Sequence, residues 1–215
     1  MVRVGVLISG RGSNLQALID ACAKPDYPAT IACVISNVPN VEGLARAARA
    51  GIPAHAADHG SHPSREAFDA AMDSLLREAD VRIVCLAGFM RILSNHFVES
   101  WKGRLVNIHP SLLPSFKGLN VHRRILESGV RISGCTVHFV VPELDSGPVI
   151  AQAAVPVLPH DTEHTLAART LAAEHKLYPL ALELLAAGRV RLENGRARFA
   201  DCYGADGQLF SPRLR

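Results

Sequence analysis

The 215-residue chain lacks most of the features that mark specialised protein classes. It has no C-x-x-C pair, and its five cysteines, at 22, 33, 85, 135 and 202, are odd in number. Several sit in apolar runs such as "IACVIS" and "IVCLAG", which argues against a disulfide framework or a zinc site and for buried, reduced thiols. No apolar run approaches the roughly 20 residues of a membrane span. The run "VGVLI" is broken at once by "SGRGSN", too short for a secretory signal and without a cleavage pattern. An excess of one charge is also missing: 23 Lys and Arg oppose 20 Asp and Glu, leaving +3. That balance is too mild for a nucleic-acid or membrane surface. Repeats, low-complexity segments and linkers are absent. One domain over residues 1–215, in the cytoplasm, is the expectation.

What is present is an ordinary globular composition, 48% hydrophobic and 20% charged, enough for a sizeable core. "VRVGVLIS" (2–9), "TIACVIS" (30–36), "VRIVCLAG" (81–88) and "GRLVNIH" (103–109) are β-rich and apolar on both faces, as in a covered parallel sheet. Helical patterns alternate with them. "SNLQALIDACA" carries Leu15, Leu18, Ile19 and Cys22, "VEGLARAARAG" ends on Gly51, and residues 64–79 align Phe68, Met72, Leu75 and Leu76. This alternation predicts a doubly wound, mostly parallel α/β sheet. After residue 118 the pattern changes. "VHRRILESG" reads as a helix, and "RISGCTVHFVV" with "GPVIAQAAVPV" as a strand pair. A long helix follows, with Asp161 expected as its cap and Pro179 expected to bend it. "RVRLE" and "RARF" around "NG" read as a C-terminal hairpin.

Three constellations carry chemistry. In "SGRGSNLQ" (9–16) the backbone N–H groups of Gly12, Ser13 and Asn14 should open at a helix N-terminus, where an anion is favoured. G-x-G-x-x-G is incomplete, with Leu15 at the third glycine, and the second strand ends in "SN" rather than an acid. A G-x-x-x-x-G-K-[ST] motif is missing. A phosphate monoester therefore fits better than a dinucleotide or nucleoside triphosphate. In "LVNIHPSLLP" (105–114), Asn107 and His109 are two apart at a strand end and share a face. An amide and an imidazole so placed can serve a developing oxyanion. In "VHFVVPELDSGPVI" (137–150), Asp145 lies in a tight loop, and a carboxylate beside a histidine favours its protonated form. The histidines at 55, 59, 62, 160 and 164 read as surface residues, with no metal expected.

The stretches "SGRGSNLQALID", "LAGFMRILS", "VNIHPSLLPSFKG", "GCTVHFVVPELDSGPVI" and "EHKLYP" together resemble the phosphoribosylglycinamide formyltransferase family of purine biosynthesis, in order and over nearly the whole chain. "HPSLLP" with a later "LD-x-GP" marks the wider folate-dependent group. "GSNLQ" and "EH-x-x-YP" narrow it to the glycinamide ribonucleotide branch. The resemblance implies a Rossmann-like formyltransferase fold, 10-formyltetrahydrofolate as co-substrate and no metal. Its small-molecule partners would be that folate and glycinamide ribonucleotide, and it leaves room for a homodimer. It implies Asn107, His109 and Asp145 as the catalytic set, and Gly12, Ser13, Asn14 and Glu174 on the ribonucleotide. Arg65, Met90, Arg91, Ile92, Leu93, Asn107, Val141, Pro142, Glu143, Leu144 and Asp145 would meet the folate. Phosphate binding would fall to about residues 1–100 and folate chemistry to about 101–190. Leu171 and Ala172, apolar beside Glu174, would offer backbone contacts alone.

The implied reaction needs no protein nucleophile, because the substrate amine attacks the formyl carbon. The nearest rival is a 10-formyltetrahydrofolate hydrolase, which would use water and share Asn107, His109 and Asp145; the phosphate loop argues against it. A methionyl-tRNA formyltransferase would need a basic nucleic-acid-binding extension beyond what residues 190–215 can form. A nicotinamide-dependent oxidoreductase is disfavoured by the missing acid after "CVIS". A bare phosphate-binding module leaves Asn107, His109 and Asp145 unexplained.

Overall fold

The computed structural model describes residues 1–201 and Ser211, apart from the His59 side chain; Cys202 lies outside the described residues. Four of the predicted strands are β1 (Val2–Ile8), β2 (Ala29–Ser36), β4 (Ile83–Leu86) and β5 (Leu105–His109). With the short edge strand β3 (Ala54–Ala56), they form a parallel sheet. β6 (Ile132–Phe139) and β7 (Val149–Pro156) extend it antiparallel. The order is β3-β2-β1-β4-β5-β6-β7. The sheet is therefore doubly wound, and its strand order reverses between β1 and β4, where open α/β sheets place ligands.

Both faces of the sheet are covered, which is why its strands are apolar on both sides. On one face lie α1 (Ser13–Cys22), α2 (Glu42–Arg49) and α6 (Glu163–Ala186), contributing Leu15, Leu18, Ala47, Leu177 and Leu182. On the other lie α3 (Arg65–Glu78) and α4 (Asn95–Ser100), contributing Phe68, Met72, Leu76, Phe97 and Trp101. α5 (Val121–Ser128) packs Val121 and Ile125 against β7 residue Val155 and α6 residue Leu166. Tyr178 is fully buried, and its hydroxyl lies within donating distance of the carbonyls of Leu86 (3.0 Å) and Val106 (3.3 Å), pinning α6 beneath the neighbouring strands β4 and β5. β8 (Val190–Glu193) and β9 (Arg196–Phe199) form the predicted hairpin, with Asn194 and Gly195 both at positive φ, as a two-residue primed turn requires.

One local expectation needs correction. The cap of α6 is Thr162, which exchanges hydrogen bonds with Thr165, and not Asp161. Asp161 instead takes a bidentate contact from Arg169 (2.7 and 2.8 Å), which holds its carboxyl well below the usual range. Pro179 lies within α6 without ending it. Its carbonyl accepts from the Tyr27 hydroxyl at 2.6 Å. β3 and α4 had no clear signature, since three and six residues are too few to display a period. Among the described residues no helix is long and apolar enough to cross a membrane, and no cluster of His, Cys, Asp and Glu stands ready for a metal.

Candidate active site

The phosphate-loop candidate follows β1. Gly12 caps α1 at φ 70°, ψ 35°, a left-handed conformation natural to glycine. A Cβ there would stand 2.7 Å from the Cα of Gly43, and one on Gly43 would stand 2.9 Å from the Gly10 carbonyl. The Gly43 N–H donates to that carbonyl at 3.1 Å. The start of α2 thus presses on the loop through two glycines, and the sequence reading missed Gly43. Asn14 is buried, and its Nδ2 donates to Oε2 of Glu174 on α6 at 2.7 Å. The predicted ribonucleotide residues are therefore brought together across 160 positions of chain. Burial pushes the Glu174 carboxyl up, and the Asn14 hydrogen bond opposes that only in part.

A carboxyl whose pKa is raised by folding contributes most to stability below its unfolded value, and this is lost as pH rises through the folded value. Gln at 174 keeps an oxygen for the Asn14 N–H and removes the charge. We expect Glu174→Gln to melt higher than the parent at pH 8, on the order of 2–4 °C, the shift that about 1 kcal/mol gives a chain of this size. The gap should shrink at acid pH. Paired thermal melts check it, and an equal or lower midpoint at pH 8 would contradict the reasoning.

The second constellation sits where β5 lies between β4 and β6. Asn107 pairs with Leu86 on one side and His138 on the other, and His109 is opposite Thr136. His109 is buried at 5% exposure, and its Nδ1 lies 3.3 Å from Oδ2 of Asp145. Its Nε2 lies 2.9 Å from the carbonyl of Phe116. Both nitrogens face acceptors, so a doubly protonated ring satisfies both contacts. The chain wraps the pair: Phe116, at φ 57°, supplies that carbonyl, and Gly118 N–H donates to Asp145 Oδ2 at 2.9 Å. Thr136 holds the same loop, donating to the Ser111 carbonyl and accepting from Leu113 N–H. The sequence reading has both Asn107 and His109 facing an oxyanion; in the structure His109 Nε2 meets the Phe116 carbonyl.

His138 was not singled out from the sequence. Its Nδ1 donates to the Phe139 carbonyl at 2.9 Å, and burial lowers its pKa, so the ring is neutral with Nε2 bare. Nε2 accepts from Asn107 Nδ2 at 3.3 Å. This contact fixes which end of the Asn107 amide is the donor and leaves a second N–H free. The signal was available: Thr136 and His138 alternate as Asn107 and His109 do, and an antiparallel partner brings the two pairs together.

The residues expected on the folate fall on two segments besides Arg65 and Asn107, 90–93 and 141–145. Met90 and Ile92 are exposed at 71% and 65%, while Leu93 is buried. Leu144 is exposed at 59% on the 141–145 loop, where Pro142 and Glu143 are also exposed and Val141 is half-buried. Exposed apolar side chains on both segments are what a flat aromatic ligand would cover. Arg91 stacks over Phe68, its guanidinium carbon 4.8 Å from the ring centre. Arg65 is exposed beside Glu66 at the start of α3 and makes no contact with either segment that the structure records. Asp69, buried next to Phe68, accepts from Ser94 N–H at 2.6 Å and ties the 90–94 segment to α3. A cavity of about 690 Å³ beside the 141–145 loop is lined by Val98, Lys102, Val140, Pro142 and Leu192 rather than by Asn107 or His109.

A doubly wound sheet with a glycine-rich loop at its switch point, and an imidazole–carboxylate pair beside an amide two strands away, is the frame of a group-transfer enzyme. The sequence pattern of the formyl transferase family matches residues 2–182, and the chain belongs to that family. Within it, the likeness is to phosphoribosylglycinamide formyltransferases. The chain is 46% identical to the phosphoribosylglycinamide formyltransferase of Escherichia coli over 99% of its own length and 97% of the relative's. It is 56% identical over 195 residues to the human trifunctional purine biosynthetic protein adenosine-3, covering 90% of this chain but only 19% of that protein. It thus spans about a fifth of the trifunctional relatives from vertebrates. The crystal structure of glycinamide ribonucleotide transformylase 1 from Symbiobacterium toebii superposes with a TM-score of 0.91 at 50% identity, covering 94% of this chain and 95% of that one.

Proposed function

We propose that the chain transfers the formyl group of 10-formyltetrahydrofolate to the amine of glycinamide ribonucleotide, giving formylglycinamide ribonucleotide in de novo purine biosynthesis. The observation that carries this reading is the buried His109–Asp145 pair beside Asn107, one strand from the Met90–Leu93 bank and two from the anion loop. The ribonucleotide phosphate takes the N–H groups of Gly12, Ser13 and Asn14, and Glu174 takes the ribose hydroxyls. The folate lies between Met90–Leu93 and the 141–145 loop, with Arg65 toward its anionic tail. The amine nitrogen bonds to the formyl carbon, and the carbonyl electron pair moves to oxygen. The free Asn107 N–H and the His109 Nε2–H, drawn from the Phe116 carbonyl, meet that oxygen. As the carbon–N10 bond breaks, the nitrogen nucleophile loses a proton to Asp145, directly or through water, and N10 gains one. Tetrahydrofolate and the formamide leave.

Residues 1–215 act in this reading as one formyltransferase domain in the cytoplasm, with a homodimer compatible. The test is a folate absorbance assay with each substrate omitted in turn. Anchoring by phosphate raises the effective concentration of the amine but does nothing for water. Donor consumption should therefore be rapid with the ribonucleotide and slow without it. Removing the acceptor's phosphate should cost roughly 10²-fold in kcat/KM, on the order of losing a multidentate charged contact. Equal consumption with and without acceptor would instead favour the hydrolase.

A further inference from the structure

Ser9 is the last residue before the anion loop, and nothing above gives it a role. It stands where the sheet order reverses. β2, β1 and β4 are neighbours there and end level, with Ile8 opposite Ser36 and Leu7 opposite Leu86. Ser9 N–H donates to the carbonyl of Gly88 at 3.1 Å. The Ser9 hydroxyl accepts from the N–H of Met90 at 2.7 Å and donates to Oδ1 of Asn37 at 2.5 Å. Asn37 is itself buried, and its N–H returns to the carbonyl of Ile8. One residue thus clamps the 88–90 turn with both its backbone and its side chain, and braces that clamp against the end of β2. The same residue leads directly into Gly10, whose carbonyl holds Gly43.

We propose that Ser9 is a positioning residue that couples the two substrate sites, so that filling the anion loop tightens the folate site. This rests on the functional reading above, in which Gly12–Asn14 hold phosphate and Met90–Leu93 line the folate bank. The path between them is short: Gly10 and Arg11 alone separate Ser9 from Gly12, and one hydrogen bond joins Ser9 to Met90. Fixing Gly12–Asn14 on a phosphate restrains the chain back to Ser9, and the Ser9 hydroxyl carries that restraint to the Met90 N–H. An ordering cost met by the first ligand is not met again by the second. Linkage makes the effect reciprocal, so the folate tightens the ribonucleotide by the same factor.

The experiment uses the full chain and two ligands that cannot react together: glycinamide ribonucleotide and tetrahydrofolate, the deformylated donor. Calorimetric titration of tetrahydrofolate is run with and without saturating ribonucleotide. The affinity should rise about fivefold or more when the ribonucleotide is present, within the usual range for coupled sites. Ser9→Ala removes both hydroxyl bonds, and the ratio should fall to within about twofold of one. Ser9→Thr keeps the hydroxyl and should restore it. A purely structural serine would change both affinities and leave their ratio alone. Parent protein that binds both ligands with a ratio of one, or Ser9→Ala with the parent ratio, overturns the coupling and leaves the functional reading standing. Parent protein that binds neither ligand overturns the functional reading and the coupling with it.

Discussion

Replacing Asn107 or His109 by alanine should lower kcat by roughly 10²-fold or more, with the KM for the folate donor changed far less. Removing one preorganised oxyanion donor typically costs a factor of about 10²–10³. Asn107 meets the conditions for such a donor. Its Nδ2 is held by His138, whose bare Nε2 is fixed because Nδ1–H is already given to the Phe139 carbonyl. The amide is therefore oriented before any charge develops. His109 is oriented by Asp145 and Phe116 from opposite sides of its ring. In the proposed reading the folate rests mainly against Met90, Ile92 and Leu144, which are exposed and which neither substitution touches. The double variant should lose less than the product of the single losses, because both donors serve one oxygen. Single-turnover kinetics of the two variants, beside a melting curve to exclude unfolding, provide the check. Near-parent turnover in either would remove that residue from the reaction.

What was legible in the sequence is what a period or a local turn can encode. The parallel strands were readable because burial on both faces makes them continuously apolar, and α1 and α3 because ten and fourteen residues display a helical stripe. Asn107 and His109 could be paired from their spacing alone. That Asp145 reaches His109 depended on how an antiparallel strand and its loop fold back, which spacing does not contain. The Asn14–Glu174 contact joins the first helix to the last long one, and only the resemblance pointed to it. His138 escaped notice because it is the register neighbour of Asn107, on a strand 31 residues away. Gly43 escaped because its value lies in what a side chain would strike. Phe116 contributes a backbone carbonyl, so its side-chain identity carried no signal for that role. Taking Asp161 for the cap of α6 failed because Thr162 and Thr165 satisfy the helix start reciprocally, which frees Asp161 for Arg169.

Asp145→Asn should leave the fold in place and still lower kcat by roughly 10²-fold or more. The carboxylate is 8% exposed, and its Oδ2 serves both His109 Nδ1 and the Gly118 N–H. Asparagine is nearly the same size, and with its oxygen at the Oδ2 position it keeps the Gly118 N–H and still faces His109 Nδ1. Its amide nitrogen then stands at the Oδ1 position, toward Nε2 of His138. The negative charge beside His109 is gone, so a doubly protonated ring has lost its counter-charge, and a neutral imidazole is a weaker acid toward a developing oxyanion. In the proposed reaction the group that accepts the proton of the attacking amine has gone as well. Two contributions to proton transfer are lost together, each in the range of about 10²–10⁴ for a positioned acid or base. Binding of the ribonucleotide should hardly change, because Gly12, Ser13, Asn14 and Glu174 lie on other elements. Asp145→Ala is the informative companion. It leaves Gly118 N–H without its acceptor and buried His109 without its counter-charge, so it should add a loss of stability that Asp145→Asn does not. Steady-state rates with ligand-binding titrations on both variants separate the two effects. Parent-like kcat in Asp145→Asn would show that the negative charge takes no part in the transfer.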